Sequence, residues 1–402
     1  MILPLLGPVE VGPIAHGGHC VARHEGRVIF VRHTLPGERV MVQITDDSHA
    51  RFWRGDAVQI LEASPDRVPS RCPVAGPGRC GGCDFQHVDL SAQRRLKAAV
   101  VAEQLRRLAR IEWDGEVQAV GTDQMRDGLD WRTRMRYQVD DRGRAGLRAH
   151  RSQMIIPIPD AGCPIADRRT PTVADQSWPP GTELVAVAAA DGPALVVDGQ
   201  RRVGQGVVHE RAAGRDWAVA VDGFWQVHPA AADTLVGAVL DGVRPRRGER
   251  ALDLYCGVGL FAGALADAGC RVWAVEGGRA AVQLARQNLA DVAARVTLTA
   301  GRVERSLGGL PPQIDVVVLD PPRAGAGAAV MRALATRTPR VIAYVACDPA
   351  ALARDLGTAA TLHYRAVTIT AYDLFPTTAH VECVAILQPA EDAAARGRGN
   401  EA

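Results

Sequence analysis

The chain has 402 residues, 47% hydrophobic and 23% charged, with a formal net charge of +2. That composition suits a globular protein of two or three domains and excludes a wholly disordered chain. No run of 18 apolar residues is present, and the opening MILPLLGPVEVGP lacks the basic region and long apolar core of a secretory signal, so a cytoplasmic protein without membrane spans is expected, and a monomer. Lys97 is the only lysine, so location rather than net charge must identify a charged partner. The nine cysteines are an odd number and argue against a disulfide framework.

Residues 1–63 alternate apolar and polar positions between Gly and Pro turns. Strands are predicted at 21–23, 27–31, 39–45 and 52–61, which suggests a small β-barrel, followed by a linker at 64–69. Residues 64–217 read as a central β-rich domain. It has a Cys- and Gly-rich loop at 70–90, a helix over 90–111, and a hairpin at 131–139 and 146–150. A polar loop follows at 166–181, then a helix near 182–190 and strands around 193–198 and 203–209. From 218 to 389 short apolar runs alternate with helices, the pattern of a doubly wound parallel sheet. Its strands are expected at 250–255, 271–276, 296–300, 314–320 and 340–346, with a closing hairpin at 364–372 and 381–388. Residues 390–402 read as a disordered tail.

The run Leu252-Asp-Leu-Tyr-Cys-Gly257-Val-Gly259 carries the first of those strands into a glycine turn and a helix. Gly257 and Gly259 permit a tight turn and close backbone approach to a ligand, and Glu276 ends the next strand where an acid accepts ribose hydroxyls. S-adenosylmethionine (SAM), a dinucleotide and a purely structural turn all fit that spacing. Asp253 and the absence of a third glycine favour SAM.

Asp320-Pro-Pro-Arg323 follows the fourth strand, where two prolines stiffen the lip of the ligand crevice. Cys347 ends the fifth strand just before a helix, where a thiol pKa is lowered and the sulfur can act as a nucleophile. Glu382 opens an apolar strand, where burial would raise its pKa and suit it to proton transfer. A thiolate adding to carbon 6 of uracil makes carbon 5 nucleophilic toward a methyl donor, and a base then removes the carbon-5 proton. Upstream, Cys72, Cys80 and Cys83 join Cys163 as four thiolates able to hold either a [4Fe–4S] cluster or zinc. Arg132, Arg134 and Arg136 alternate and predict a phosphate-facing strand face.

Together these residues resemble the RNA (uracil-5-)-methyltransferase family over nearly the whole chain. The resemblance rests on the order of the TRAM-like barrel, the cysteine set, Gly223-Phe-Trp-Gln226, LDLYCGVG, DPPRAG, YVACDPAALARD and HVECVAIL. It implies a Rossmann-like, seven-strand class I SAM-dependent domain, an N-terminal OB-like TRAM barrel and a central iron–sulfur domain. It implies SAM contacts at Gln226, Tyr255, Glu276 and Asp320, Cys347 as nucleophile and Glu382 as proton acceptor. It also implies a [4Fe–4S] cluster on Cys72, Cys80, Cys83 and Cys163. Barrel plus cluster points to 23S rRNA as the RNA partner, with a tRNA T-loop uridine or a non-catalytic RNA-binding assembly role as alternatives. The sequence departs from the family pattern at Asp348, which stands where Asn is usual, and at Leu260 in the glycine turn. It departs again after the third strand, where Gly301-Arg302 lacks an acid.

Overall fold

The computed structural model describes residues 3–121 and 126–390. The tail expected at 390–402 lies, beyond Ala390, outside the described residues. The first five strands are β1 (Leu5–Ala15), β2 (His19–His24), β3 (Arg27–Arg32), β4 (Arg39–Asp46) and β5 (Phe52–Glu62), and they close into a barrel in the order 1-2-3-5-4. Strands β3 and β5 run parallel and the other pairs antiparallel. Alternation turns Ile29, Val31, Val40 and Val42 into the barrel core, where none is solvent-exposed, and Cys20 joins them. Glu38 is also fully buried, because Arg67 grips both its oxygens while Leu35 and Ser64 amides donate to it. One carboxylate thus ties the barrel to the linker beyond it.

Helix α1 (Leu90–Gln104) starts on an Asp89 cap that accepts from the Ser91 and Ala92 amides. It continues into a π turn over Leu105–Ala109 and stops at Arg110, in the left-handed region at φ 57°. Strand β6 (Val117–Ala119) follows. A six-stranded sheet is then built from β7 (Arg134–Val139), β8 (Ala145–Arg148), β9 (Ile155–Pro157), β10 (Glu183–Ala189), β11 (Gly192–Val197) and β12 (Gln200–Val203), in the order 12-11-10-7-8-9. The helix expected near 182–190 is instead the central strand β10, paired on both sides. Leu184 and Ala186 pack into one hydrophobic core, and Val185, Val187 and Ala189 into another. A strand buried on both faces loses the alternation that marks strands, and its alanines then read as helix.

The hairpin β13 (Val207–Ala212) and β14 (Arg215–Ala220) leads into α2 (Ala231–Val243). The last domain comprises β15 (Arg250–Leu254), α3 (Leu260–Asp267), β16 (Arg271–Glu276), α4 (Arg279–Asn288), β17 (Val296–Ala300), α5 (Val303–Ser306), β18 (Val316–Leu319), α6 (Gly327–Ala335), β19 (Val341–Ala346), α7 (Pro349–Thr361), β20 (Tyr364–Asp373) and β21 (Glu382–Pro389). The sheet order is 17-16-15-18-19-21-20-6. The expected seven strands are present, and β6 adds an eighth, parallel to β20. Helix α1 packs on α7 and β6. Its Lys97 ammonium is 2.5 Å from Asp373 at the end of β20, with both side chains almost wholly buried. The segment upstream of residue 218 therefore contributes a helix and a strand to the methyltransferase-type core. No helix among the described residues is long and apolar enough to cross a membrane.

Candidate active site

A cavity of about 1120 Å³ opens where the parallel strands end. Ligands of open α/β sheets bind there, because the loops after the strands supply free backbone groups. Tyr255 follows β15, Glu276 ends β16, Asp320 follows β18 and Cys347 follows β19, and all four line this cavity with Gln226 and Glu382. The structure thus gathers all six candidate catalytic and cofactor residues around one space.

The glycine turn is held open by its neighbours. Glu276 accepts from the Gly257 amide at 3.0 Å and the Gly278 amide at 2.6 Å. Gly257 has φ 55° and nothing within 4 Å of where a Cβ would stand, so its backbone faces open space. Tyr255 sits just before it at φ 68°. Asp253 is fully buried, and one oxygen accepts from the Ala262 amide at 2.7 Å while the other has no partner. Burial raises its pKa to about 8. An open glycine cradle with an ordered acid on its far side fits the adenosine of SAM.

The antiparallel register of β19 and β21 pairs Ala346 with Cys383, so one step further on Cys347 stands opposite Glu382. Opposed residues share a face, which directs both side chains into the cavity. Glu382 is buried, and desolvation followed by the Asp320 charge pushes its pKa well above the ordinary carboxylate range. Asp320 is raised to about 7 by burial. Arg323 lines the cavity and donates to His380 at 3.1 Å, where burial keeps that imidazole's pKa down at about 4.

The expectation of a lowered thiol pKa at Cys347 is overturned. Burial, then the charges of Glu382 and Asp320, raise it to about 11 in the unliganded protein. Asp348 caps α7 by accepting from the Ala351 amide, so the helix begins beyond the thiol and its dipole is outweighed. Asp348 also binds His16 of the barrel at 3.0 Å, bringing β1's turn to the residue after the nucleophile.

The predicted arginine face is also corrected. Arg134 is buried, pairing with Glu210 and donating to the Ala220 and Val221 carbonyls. Arg136 pairs with Glu183, and Arg132 turns into the main cavity. Cavity-lining residues missed in the sequence include Phe375 and Glu304, while Phe224 of the Gly223-Phe-Trp-Gln226 motif also lines it and is 71% exposed. Glu304 lies 3.4 Å from the Tyr255 hydroxyl and supplies, two residues later, the acid absent at Gly301-Arg302. Its position after β17 was a usable signal, whereas Phe375 has none nearby in sequence.

Cys72, Cys80, Cys83 and Cys163 line a second, small cavity of about 20 Å³. The Gly82 amide donates to the Cys80 sulfur, and Gln86 and Thr377 donate to the Cys83 sulfur. A Cβ on Gly81 would meet the His150 nitrogen at 2.7 Å, so glycine lets this loop lie against the chain after β8. Among the described residues, no three His, Cys, Asp or Glu side chains form a group that could hold a single metal ion.

Comparison with known proteins adds to this geometry. Residues 8–58 match the TRAM domain, 231–343 the methyltransferase small domain and 312–390 the tRNA (uracil-5-)-methyltransferase family. An uncharacterized RNA methyltransferase of Streptomyces coelicolor is 51% identical, over 95% of this chain and 92% of its own. One of Bdellovibrio bacteriovorus is 32% identical over 96% of each. The solved tRNA (uracil-54, C5)-methyltransferase of Pyrococcus abyssi superposes with TM-score 0.69 and 23% identity, covering 94% of this chain and 99% of its own.

A SAM-dependent Rossmann-like core joined to a closed TRAM barrel defines a class I RNA methyltransferase. The chain belongs to the RNA (uracil-5-)-methyltransferase family. This excludes the dinucleotide reading of the glycine turn and the non-catalytic role. The 23S rRNA expectation is corrected as well. It took the barrel together with the four-cysteine cluster as marks of rRNA enzymes, yet a tRNA enzyme shares the fold along nearly the whole chain. The family matched over the catalytic motifs is likewise a tRNA family.

Proposed function

We propose that the protein forms 5-methyluridine in tRNA, at the T-loop uridine. The carrying observation is the opposition of Cys347 and Glu382 across β19 and β21, beside a glycine turn suited to SAM. The tRNA description of the matched family and of the superposable structure supports the substrate class.

Cys347 is the nucleophile. As a thiolate it forms an S–C6 bond to uracil, and the C5=C6 electrons move onto C5 and O4. Gln226, Tyr255, Glu276 and Asp320 would hold SAM, which would supply an electrophilic methyl group to C5 and leave as S-adenosylhomocysteine. Glu382 then removes the C5 proton, C5=C6 re-forms, and the S–C6 bond breaks to return the thiolate. The target base must leave its stack to reach the cavity. Phe224, exposed at the lining, offers an aromatic face for an unstacked base. Cys72, Cys80, Cys83 and Cys163 would hold a [4Fe–4S] cluster, supported by the small four-sulfur cavity and its N–H and O–H donors.

The test is methyl transfer from labelled SAM to a tRNA transcript, beside the same transcript with cytidine at the T-loop position and a 23S rRNA fragment. Incorporation into the first transcript alone is expected. Equal labelling of the cytidine transcript, or labelling of rRNA alone, would overturn the assignment.

A further inference from the structure

The segment joining β20 to β21, residues 374–381, leads directly to Glu382, and beside hydrogen bonds of its own and one from Arg323 it is held by residues 83–97. Thr377 is its centre. The Thr377 carbonyl accepts from the Asp84 and Phe85 amides at 3.1 and 2.8 Å. Its amide donates to the buried Gln93 side chain at 2.7 Å, and its hydroxyl donates to the Cys83 sulfur at 3.6 Å. On either side, Lys97 donates to the Phe375 carbonyl at 3.0 Å and the Ala379 amide to Asp84 at 3.0 Å.

The two ends of this segment belong to the active site. Phe375 lines the main cavity beside Arg323 and Cys347, and Glu382 follows Val381. Thr377 has φ 65°, a left-handed conformation that a β-branched residue adopts only when its surroundings enforce it. Replacing the backbone contacts would not need threonine. The hydroxyl on the sulfur does, because among the described residues it is the side-chain hydrogen bond that joins this segment to the four-cysteine site.

We infer that Thr377 is a positioning residue: it links the Cys83 side of the four-cysteine site to the segment that places Phe375 and Glu382. The inference rests on the proposed reading of Cys83 as a cluster ligand and Glu382 as the base. Its consequence is selective. Cys347 is carried by β19 and α7, so addition to C6 and methyl transfer to C5 do not depend on this link. Removal of the C5 proton by Glu382 does.

The experiment uses the anaerobically purified full-length protein, SAM and a tRNA transcript carrying tritium at C5 of its T-loop uridine. Single-turnover reactions follow two signals: methyl label in a denaturation-resistant protein–RNA adduct, and tritium released to water. In Thr377→Val, tritium release is expected to slow about 3- to 10-fold, the effect of one lost hydrogen bond, while methyl incorporation stays within about 2-fold and the methylated adduct accumulates. Thr377→Ser, which keeps the hydroxyl, restores release. Hydrogen exchange of the amides of 374–382 should quicken both in Thr377→Val and in the parent protein stripped of iron by a chelator, with the parallel sheet unchanged. Equal slowing of methylation and release, no slowing of either, or unchanged exchange in 374–382 after stripping would each overturn the inference. Those results leave the functional reading standing as long as the parent enzyme releases tritium from tRNA. A parent that releases none overturns both.

Discussion

Replacing Lys97 by Met tests how the upstream helix is fastened to the catalytic sheet. The Lys97 ammonium is buried and held by Asp373 at 2.5 Å and by the Phe375 carbonyl at 3.0 Å. The Met side chain fills similar space but leaves the Asp373 carboxylate and that carbonyl without their donor. Breaking a buried pair from one side costs about 3–5 kcal/mol, mostly as the unpaired charge left behind. Lys97→Met should lower the urea midpoint by that free energy at unchanged slope. The double variant Lys97→Met with Asp373→Leu removes both charges and should recover most of the loss, since apolar replacement of a whole buried pair is near neutral. A single variant within about 1 kcal/mol of the parent, or a double variant no better than the single, would refute this account of the contact.

Three further outcomes follow from the same geometry. Glu276→Ala removes the acceptor for the Gly257 and Gly278 amides, so SAM affinity should fall about 10- to 100-fold by calorimetry, without loss of the folded state. Alkylation of Cys347, read by peptide mass spectrometry on the SAM-free protein, should accelerate with rising pH toward about 11, and Asp320→Asn should speed it at pH 8 by removing one of the charges that hold the thiol protonated. Asp253 has its pKa raised from 3.8 to about 8, so the folded state binds its proton more tightly than the unfolded chain does. Its contribution to stability therefore declines as pH rises between those values, and Asp253→Asn, which still accepts from Ala262, should flatten that decline in denaturation curves.

Local patterns in the sequence carried the parallel strands, the barrel and the closing hairpin, because each is a short apolar run bounded by turn residues. The glycine turn, Asp320, Cys347 and Glu382 were legible for a related reason: strand ends in a doubly wound sheet converge on one crevice. What escaped depended on partners distant in sequence. Strand β10 looked helical because two cores cover its two faces. The Arg132, Arg134 and Arg136 alternation was real, but Glu210 and Glu183 decide where two of those side chains end. The Cys347 pKa reverses because the fold buries the thiol and brings Glu382 and Asp320 to it from other strands. Thr377 carries no local motif, and its roles appear only once residues 83–93 are folded against it.

The most direct measurement is to trap the covalent step with a tRNA transcript carrying 5-fluorouridine at its T-loop position. Fluorine cannot be removed from C5 as a proton, so Glu382 has nothing to abstract and the adduct persists. Incubation with the protein and SAM, followed by peptide mapping, should place one methylated nucleotide on Cys347, with no adduct from Cys347→Ala and none from a transcript fluorinated elsewhere. An adduct on another cysteine, or no adduct from a preparation that binds both SAM and tRNA, would contradict the account.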